Sequence, residues 1–403
     1  QASFSGDLGY QAICRPATAF LHRPSRHQAH DSCTLIQALA GKMQPFSGHS
    51  VTPESPFTLV LSGGGLKGLA HIGVLRALEE RQLVPDLVVG SSIGSLIGGA
   101  WAAGVSSRHM EARARLVRRR DVFQVARADV AFRRLLAPAL YRREPLEILV
   151  NDLVGQVTFE DLKRRLLINT VDLHSGMQVM WGLPGLRSAR VADAVAASCA
   201  LPGIFPPREI NGRAYVDGAV VENLPVRMAA SLAQGPILAI NVAATSVLRS
   251  QTETQGFAAT YIRGLEIVMQ NQIESQLRDW KGPPLVLVQP RVEHISMFAF
   301  DKTEELIEAG YRATANTLDQ LGTRLEGVAR GMHPTRRLRV LVDESRCVGC
   351  GSCVIQAPQV FRLDARGKAQ VLSPVQSWSP IDGAYVLNCP TYAISVSPED
   401  SAA

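Results

Sequence analysis

Two short apolar runs, each cut off by a glycine-rich turn and followed by apolar residues at helical spacing, constrain the fold of this chain more than any other feature. Phe57–Leu61 (FTLVL) runs into Ser-Gly-Gly-Gly, and Leu87–Val89 (LVV) runs into GSSIG. An unbroken apolar run of this length suits a strand buried on both faces, and glycine lets the chain turn sharply where the run ends. Helical spacing follows over 68–80 (GLAHIGVLRALEE) and 93–104. Further strands are expected at Leu166–Val171, Tyr215–Val216, Ile237–Val242 and Leu285–Val288, with helices over 191–199, 222–233, 256–280 and 302–322. Such alternation predicts an α/β domain with a mostly parallel sheet. Residues 86–105 have the length of a membrane span, but their five glycines and three serines fit a buried strand, turn and helix better.

With 403 residues, 46% of them hydrophobic, the chain can hold two or three domains. Residues 1–55, rich in Ser, His, Pro and Gln and lacking an apolar h-region, are expected to form a poorly ordered leader. The main domain spans 56–325, a polar and basic linker 326–337, and a second, small domain 338–403. Four of seven cysteines (Cys347, Cys350, Cys353, Cys389) fall in that small domain, while Cys14, Cys33 and Cys199 are far apart. This is no secreted disulfide framework, and thiolates held by a metal favour a reducing, cytoplasmic compartment.

Gly63–Gly68 (GGGLKG) satisfies G-x-G-x-x-G between a strand and a helix, the fingerprint of a dinucleotide-dependent oxidoreductase. That reading needs an acidic residue ending the second strand, where GSSIG stands instead; Asp86 precedes the strand. GSSIG itself fits G-x-S-x-G, with Ser92 between Gly90 and Gly94. The glycines make room for a sharp strand-to-helix turn that lifts the hydroxyl over a helix N-terminus, where developing negative charge is favoured. Successive glycines at 63–68 offer unobstructed amides to an oxyanion. His109, His174, His294 and His333 lie in no turn-like catalytic setting, whereas Asp217-Gly218 ends a short strand within GRAYVDGAVVENLP (212–225). A carboxylate there can take the serine proton if burial lifts its pKa above the usual value of about 4. An ordinary Asp-Gly hairpin turn is the alternative.

SGGGLKGLAHIGVLRAL (62–78), VVGSSIGSLIGGAWAAG (88–104), AASCALPGIFPP (196–207) and YVDGAVVENLPV (215–226) together resemble the patatin-like phospholipases, over roughly 56–325. The resemblance implies a three-layer α/β/α hydrolase with a Ser–Asp dyad and no histidine. Ser92 is then the nucleophile, Asp217 the proton acceptor, and Gly63, Gly64, Gly65, Leu66, Lys67 and Gly68 the oxyanion-hole segment. Gly90, Gly94 and Gly218 shape the two turns. Lys67 is expected to be structural or to face a lipid phosphate, and His71, Asp172 and Cys199 to be structural.

Ten arginines lie between Arg113 and Arg143, interleaved with Leu, Val, Phe and Ala. They read either as a solvated helical hairpin or as a peripheral docking face for anionic membrane. No recognition motif or set of interleaved aromatics points to nucleic acid.

Cys347-x2-Cys350-x2-Cys353, followed by Cys389-Pro390, is a ferredoxin ligand set. A two-cluster ferredoxin carries the motif twice, but here Ala357 stands at one missing ligand position and Ser379, Asp382 and Tyr385 at the other three. The small domain therefore resembles a single-cluster bacterial ferredoxin of α+β type. One 4Fe–4S cluster is implied, with a 3Fe–4S form if Cys350 does not ligate; zinc on the same thiolates is the alternative. VFRLD and CPTYAISV stand where that family has edge strands. The combined expectation is an acyl-ester hydrolase acting on phospholipid or a similar ester, fused to an electron carrier with a partner redox protein. The other reading is a redox or lipid-binding protein with a vestigial serine site.

Overall fold

The computed structural model describes residues 56–126, 139–243, 256–278, 280–321, 325 and 328–399. The chain divides at 51/52 into two units, and every described residue belongs to the second. The leader expected at 1–55 lies outside the described residues.

Nine strands form the main sheet: β1 (Thr58–Leu61), β2 (Leu87–Ser91), β3 (Leu166–Asp172), β4 (Gln178–Trp181), β5 (Arg208–Ile210), β6 (Arg213–Asp217), β7 (Ile237–Ile240), β8 (Leu285–Val288) and β9 (Met332–His333). Their order is β5-β6-β3-β2-β1-β7-β8-β9, with β4 on the other edge of β3. The run from β3 to β9 is parallel, and β4, β5 and β6 add antiparallel pairs. Within the stretch expected as a linker, Met332 and His333 form the edge strand β9, and Leu285 N–H donates to Gly331 O at 2.9 Å beside it. Edge pairing needs only extended backbone, which a polar composition does not forbid.

The helices are α1 (Ala70–Glu80), α2 (Ile93–Ala102), α3 (Ser107–Ala114), α4 (Glu144–Val154), α5 (Val191–Ser198), α6 (Ala219–Glu222), α7 (Val226–Leu232), α8 (Phe257–Arg278) and α9 (Thr303–Leu321). Side chains alternate across a strand, so Leu59, Leu61, Leu166, Ile168, Leu238 and Val286 join one core with α1 to α5 and α9. Val60, Val89, Leu167, Ile237, Ala239 and Leu285 join a second core with α7 and α8. Two apolar faces, each covered by helices, make three α/β/α layers. Among the described residues no helix is long and apolar enough to cross a membrane.

The small domain begins at β10 (Arg336–Val342) and continues through α10 (Ser352–Gln356), β11 (Phe361–Leu363), β12 (Ala369–Val371), β13 (Val375–Trp378), α11 (Ala384–Leu387) and β14 (Ile394–Pro398). β13 and β14 flank β10, while β11 and β12 form a separate pair. The expected edge strands are thus present, in two different sheets.

Helices α1 and α9 touch through glycine on both sides. A Cβ on Gly310 would lie 1.9 Å from Ala70 O, and one on Gly73 would lie 1.8 Å from Ile307 O. Backbone cannot yield as a flexible side chain can. Gly310→Ala is expected to lower stability by roughly 1–3 kcal/mol, read as a lower urea midpoint; an unchanged midpoint would refute the contact.

Candidate active site and cluster pocket

The site follows from how three strands meet. One edge of β3 pairs first with β2, parallel, up to Ser91↔Asn169. The next residue of the same edge pairs with β6, antiparallel, at Thr170↔Asp217. β2 and β6 therefore meet head to head against consecutive residues of β3. Their outgoing turns, at Ser92 and Asp217-Gly218, share one place.

Ser92 has φ 51° and ψ −127°, a strained conformation for a residue with a side chain. Neighbouring side chains hold it there. Ser92 N–H donates to Ser198 Oγ at 2.8 Å, and that hydroxyl donates to Asn169 O at 2.7 Å. Ser95 Oγ donates to Ser92 O at 2.6 Å. Gly94 is required by close approach, since a Cβ there would lie 2.4 Å from Leu61 O, and Gly90 faces Gly94 O across the same turn. Gly218 backs onto the Asn169 side chain, whose Nδ2 donates to Glu222 O at 2.7 Å. Asn169 thus supports both turns.

Asp217 is 1% exposed. Burial raises its pKa from 3.8 to about 7, against hydrogen bonds from Ala219 N–H, at 2.9 Å, and from the Ser92 side chain. The carboxyl and the hydroxyl therefore interact directly, and the carboxyl titrates near neutrality, where a general base works best.

The glycine segment runs alongside. A Cβ on Gly63 would lie 3.0 Å from Ser92 Cβ. Gly63 N–H donates to Asn223 O and Leu66 N–H to Met297 O, so those two amides are engaged. Gly65 to Leu69 form a 3-10 turn that includes Leu66, Lys67 and Gly68, leaving Gly64 and Gly65 as the amides at its open start. Lys67 is 2% exposed and does not reach outward to a headgroup.

His71 and Asp172 bond to nearby backbone, and Cys199 lines the cavity beside Ser92. His71 Nε2 donates to Ser62 O at 2.9 Å, and burial lowers its pKa to about 4, keeping it neutral. Asp172 accepts from the amides of His174 and Ser175 and closes a turn. Burial pushes the Cys199 thiol up, and the Asp217 charge adds to the shift.

Ser92 opens into an apolar cavity of about 130 Å³. Its walls are built by α2 (Ile93, Ile97), α3 (Met110) and α4 (Leu149), with Phe123 and Phe205 closing one side. Phe123 stacks on Phe205 with ring centroids 5.6 Å apart and meets Phe300 edge-on at 5.8 Å.

Of the basic stretch Arg113–Arg143, residues 127–138 lie outside the described residues. Arg113 pairs with Asp152 at 2.5 Å, Arg115 with Glu111 at 2.6 Å and with Glu304, and Arg142 with Glu144 at 3.3 Å. The pairs lie at the surface, but after Ala114 the described part of the stretch is turns, a 3-10 turn at Arg119–Asp121 and a bridge between Val125 and Tyr141, so it does not form the expected helical hairpin.

In the small domain, Cys347, Cys350, Cys353 and Cys389 line one pocket together with Val342, Leu363 and Ile394. Ala369 N–H donates to Cys347 Sγ at 3.4 Å and Ala393 N–H to Cys389 Sγ at 3.3 Å. Burial pushes the Cys389 thiol up, but amides of Thr391, Ala393 and Ile394 outweigh it and the net shift is downward. Four thiols around one apolar pocket, with amides aimed at sulfur, fit an iron–sulfur cluster. Among the described residues, no three His, Cys, Asp or Glu side chains converge on a site for a single metal ion.

Residues 59–230 match the patatin-like phospholipase family and residues 340–384 the 4Fe-4S single cluster domain. The chain joins a patatin-like phospholipase domain to a 4Fe-4S single cluster domain. An uncharacterised NTE family protein of Mycobacterium tuberculosis is 33% identical over 168 residues, 42% of this chain and 44% of its own length. The lysophospholipase NTE1 of Phaeosphaeria nodorum is 28% identical over 365 residues, 80% of this chain and 23% of its own length. The chain thus spans less than half the length of these curated relatives. VipD from Legionella pneumophila, a solved structure, is 13% identical, covering 66% of this chain and 67% of that chain at a TM-score of 0.39.

Sequence reading did not assign Ser198, Asn169 or Ser95. They act through bonds to the Ser92 turn and the strand behind it, which leave no spacing signal. If the conformation of Ser92 stores strain, Ser92→Gly should raise folding stability by roughly 1 kcal/mol. A chemical-denaturation series beside Ser92→Ala tests this, and equal midpoints for the two variants would show that the backbone is unstrained.

Proposed function

We propose that this chain hydrolyses an acyl ester of a phospholipid or lysophospholipid by a Ser92–Asp217 dyad. The observation that carries the reading is the contact between the Ser92 side chain and a buried carboxyl whose pKa is raised to about 7. Asp217 takes the Ser92 proton as the hydroxyl oxygen attacks the ester carbonyl. The carbonyl oxygen becomes an oxyanion held by the Gly64 and Gly65 amides, which the turn leaves unengaged by the bonds that occupy Gly63 and Leu66. Collapse of this intermediate expels the alcohol, which takes the proton from Asp217, and water, activated by the same carboxylate, then releases the acyl group from Ser92. The apolar cavity beside Ser92 receives the acyl chain. The lysophospholipase relative and the patatin-like domain support a lipid ester as substrate.

Cys347, Cys350, Cys353 and Cys389 would hold one 4Fe–4S cluster, which supplies one-electron transfer and has no part in ester hydrolysis. The surrounding amides stabilise thiolate charge, and the apolar wall limits water.

Ser92→Ala and Asp217→Asn are each expected to lower kcat by on the order of 10³-fold or more, assayed with lysophosphatidylcholine and a p-nitrophenyl ester. Retained activity in either variant removes that residue from the dyad. Because the base must be ionised, wild-type kcat/KM should climb about tenfold per pH unit up to about 7 and then level off. The same shift makes the folded state bind the extra proton between pH 3.8 and about 7, so stability falls as pH rises through that window. Asp217→Asn should abolish this slope. For the small domain, anaerobically purified protein should absorb in the visible, as expected of thiolate-bound iron. Cys389→Ser should lose most of that band, and a colourless wild type with stoichiometric zinc would overturn the cluster assignment.

A further inference from the structure

Among the described residues the buried asparagines are Asn169, Asn223 and Asn241. Asn169 is bonded at both ends, since Nδ2 donates to Glu222 O at 2.7 Å and Oδ1 accepts from Gln178 Nε2 at 3.0 Å. Asn241 Oδ1 accepts from Ala243 N–H at 3.0 Å. Asn223 differs. It is 1% exposed, and among the described residues neither its Oδ1 nor its Nδ2 has a hydrogen-bond partner. A buried carboxamide without a partner costs stability, whereas an apolar side chain of the same shape would not. A polar group kept on those terms suits a partner that arrives with the substrate.

The amide also stands in the right place. Asn223 ends the short helix α6 that follows the Asp217 turn. Its main-chain oxygen accepts from Gly63 N–H at 3.2 Å, which ties it to the glycine segment. Its side chain reaches the same residue. A Cβ built on Gly63 would lie 2.4 Å from Asn223 Oδ1, 3.0 Å from Ser92 Cβ and 3.6 Å from Ala219 Cβ. The unbonded amide is therefore directed at the space between Gly63 and Ser92, which only glycine leaves open. A half-turn about the last side-chain bond exchanges Oδ1 and Nδ2, and because neither end is bonded the turn breaks nothing. A donor can thus face the nucleophile.

We propose that Asn223 is a catalytic residue, the side-chain donor of the oxyanion hole: its Nδ2 bonds to the oxygen that becomes negative when Ser92 attacks the ester, beside the Gly64 and Gly65 amides. This role rests on the Ser92–Asp217 reading and adds to it a bond made only after attack. The forming charge supplies the partner that the resting amide lacks. A donor unbonded before attack and bonded after it favours the transition state over the ground state, so it raises kcat and leaves substrate binding alone. A neutral amide also suits a place so near the base. A guanidinium or ammonium there would favour the charged form of Asp217 and pull its pKa down.

Asn223→Leu removes the amide and keeps its shape, and the main-chain bond to Gly63 survives any substitution. The full chain and this variant are assayed with lysophosphatidylcholine and a p-nitrophenyl ester. Both are also titrated with an alkyl trifluoromethyl ketone, which Ser92 attacks to form the same kind of oxyanion. In Asn223→Leu, kcat should fall about 10²-fold and the ketone inhibition constant should rise about as much, with KM within about threefold of wild type. The urea midpoint should hold or rise, because an unpaired polar group has left the interior. Asn223→Ala carries the same kinetic expectation and serves if the leucine variant does not fold. This role is overturned if either folded variant keeps kcat within about twofold of wild type. It is also overturned if the ketone inhibits the variant as tightly as wild type, or if the loss of activity is matched by a loss of folded protein. A wild type that neither hydrolyses the esters nor binds the ketone overturns the Ser92–Asp217 reading itself, and the role of Asn223 with it.

Discussion

The candidate site depends on one pairing register. Strand β3 carries β2 as far as Asn169 and β6 from Thr170 onward, on the same edge, so two strands running in opposite directions end against each other. Ser92 and Asp217, 125 residues apart in sequence, are then neighbours because their strands run out at adjacent rungs. A slip of one rung would also turn each side chain to the opposite face of the sheet. The Asn169 side chain sits beneath both turns and bonds to Glu222 O, tying the register to the loops that use it.

The same arrangement is costly to the fold. Ser92 is held in a conformation that favours glycine, and Asp217 is buried where its charged form is disfavoured. Both departures fall where the strands end, with β2 buried throughout and β6 buried over its last three residues. Ser198 and Ser95 fix the strained residue through its own backbone groups, so the hydroxyl is left to face the carboxyl. Structure that over-determines a strained residue is what keeps such a residue in place.

The small domain keeps its cysteines and its packing surface apart. The first set of cysteines stays together around one pocket. The segment 378–382 presents Ile381 to the neighbouring core and Trp378 to a groove between the two domains. Phe361, Tyr385 and Trp378 stack edge to face through the interior, at 4.9 and 5.6 Å between centroids, and fill the volume behind that surface.

The sequence by itself determined the elements and the chemistry of the parts. Apolar runs ended by glycine are strands before sharp turns, and FTLVL, LVV and the run at 285–288 fall where they were read because period and punctuation are local properties. Gly90, Gly94 and the cysteine spacing were legible for the same reason, and the resemblance to known families placed Asp217. Tertiary structure decided what depends on through-space contact. It set the pKa of Asp217, because burial is a property of everything around the residue. It engaged the amides of Gly63 and Leu66, assigned Ser198 and Asn169 to the elbow, and made an edge strand of a stretch that reads as a linker. Those facts are pairings across the sheet, between residues whose separation in sequence carries no trace of their distance in the fold.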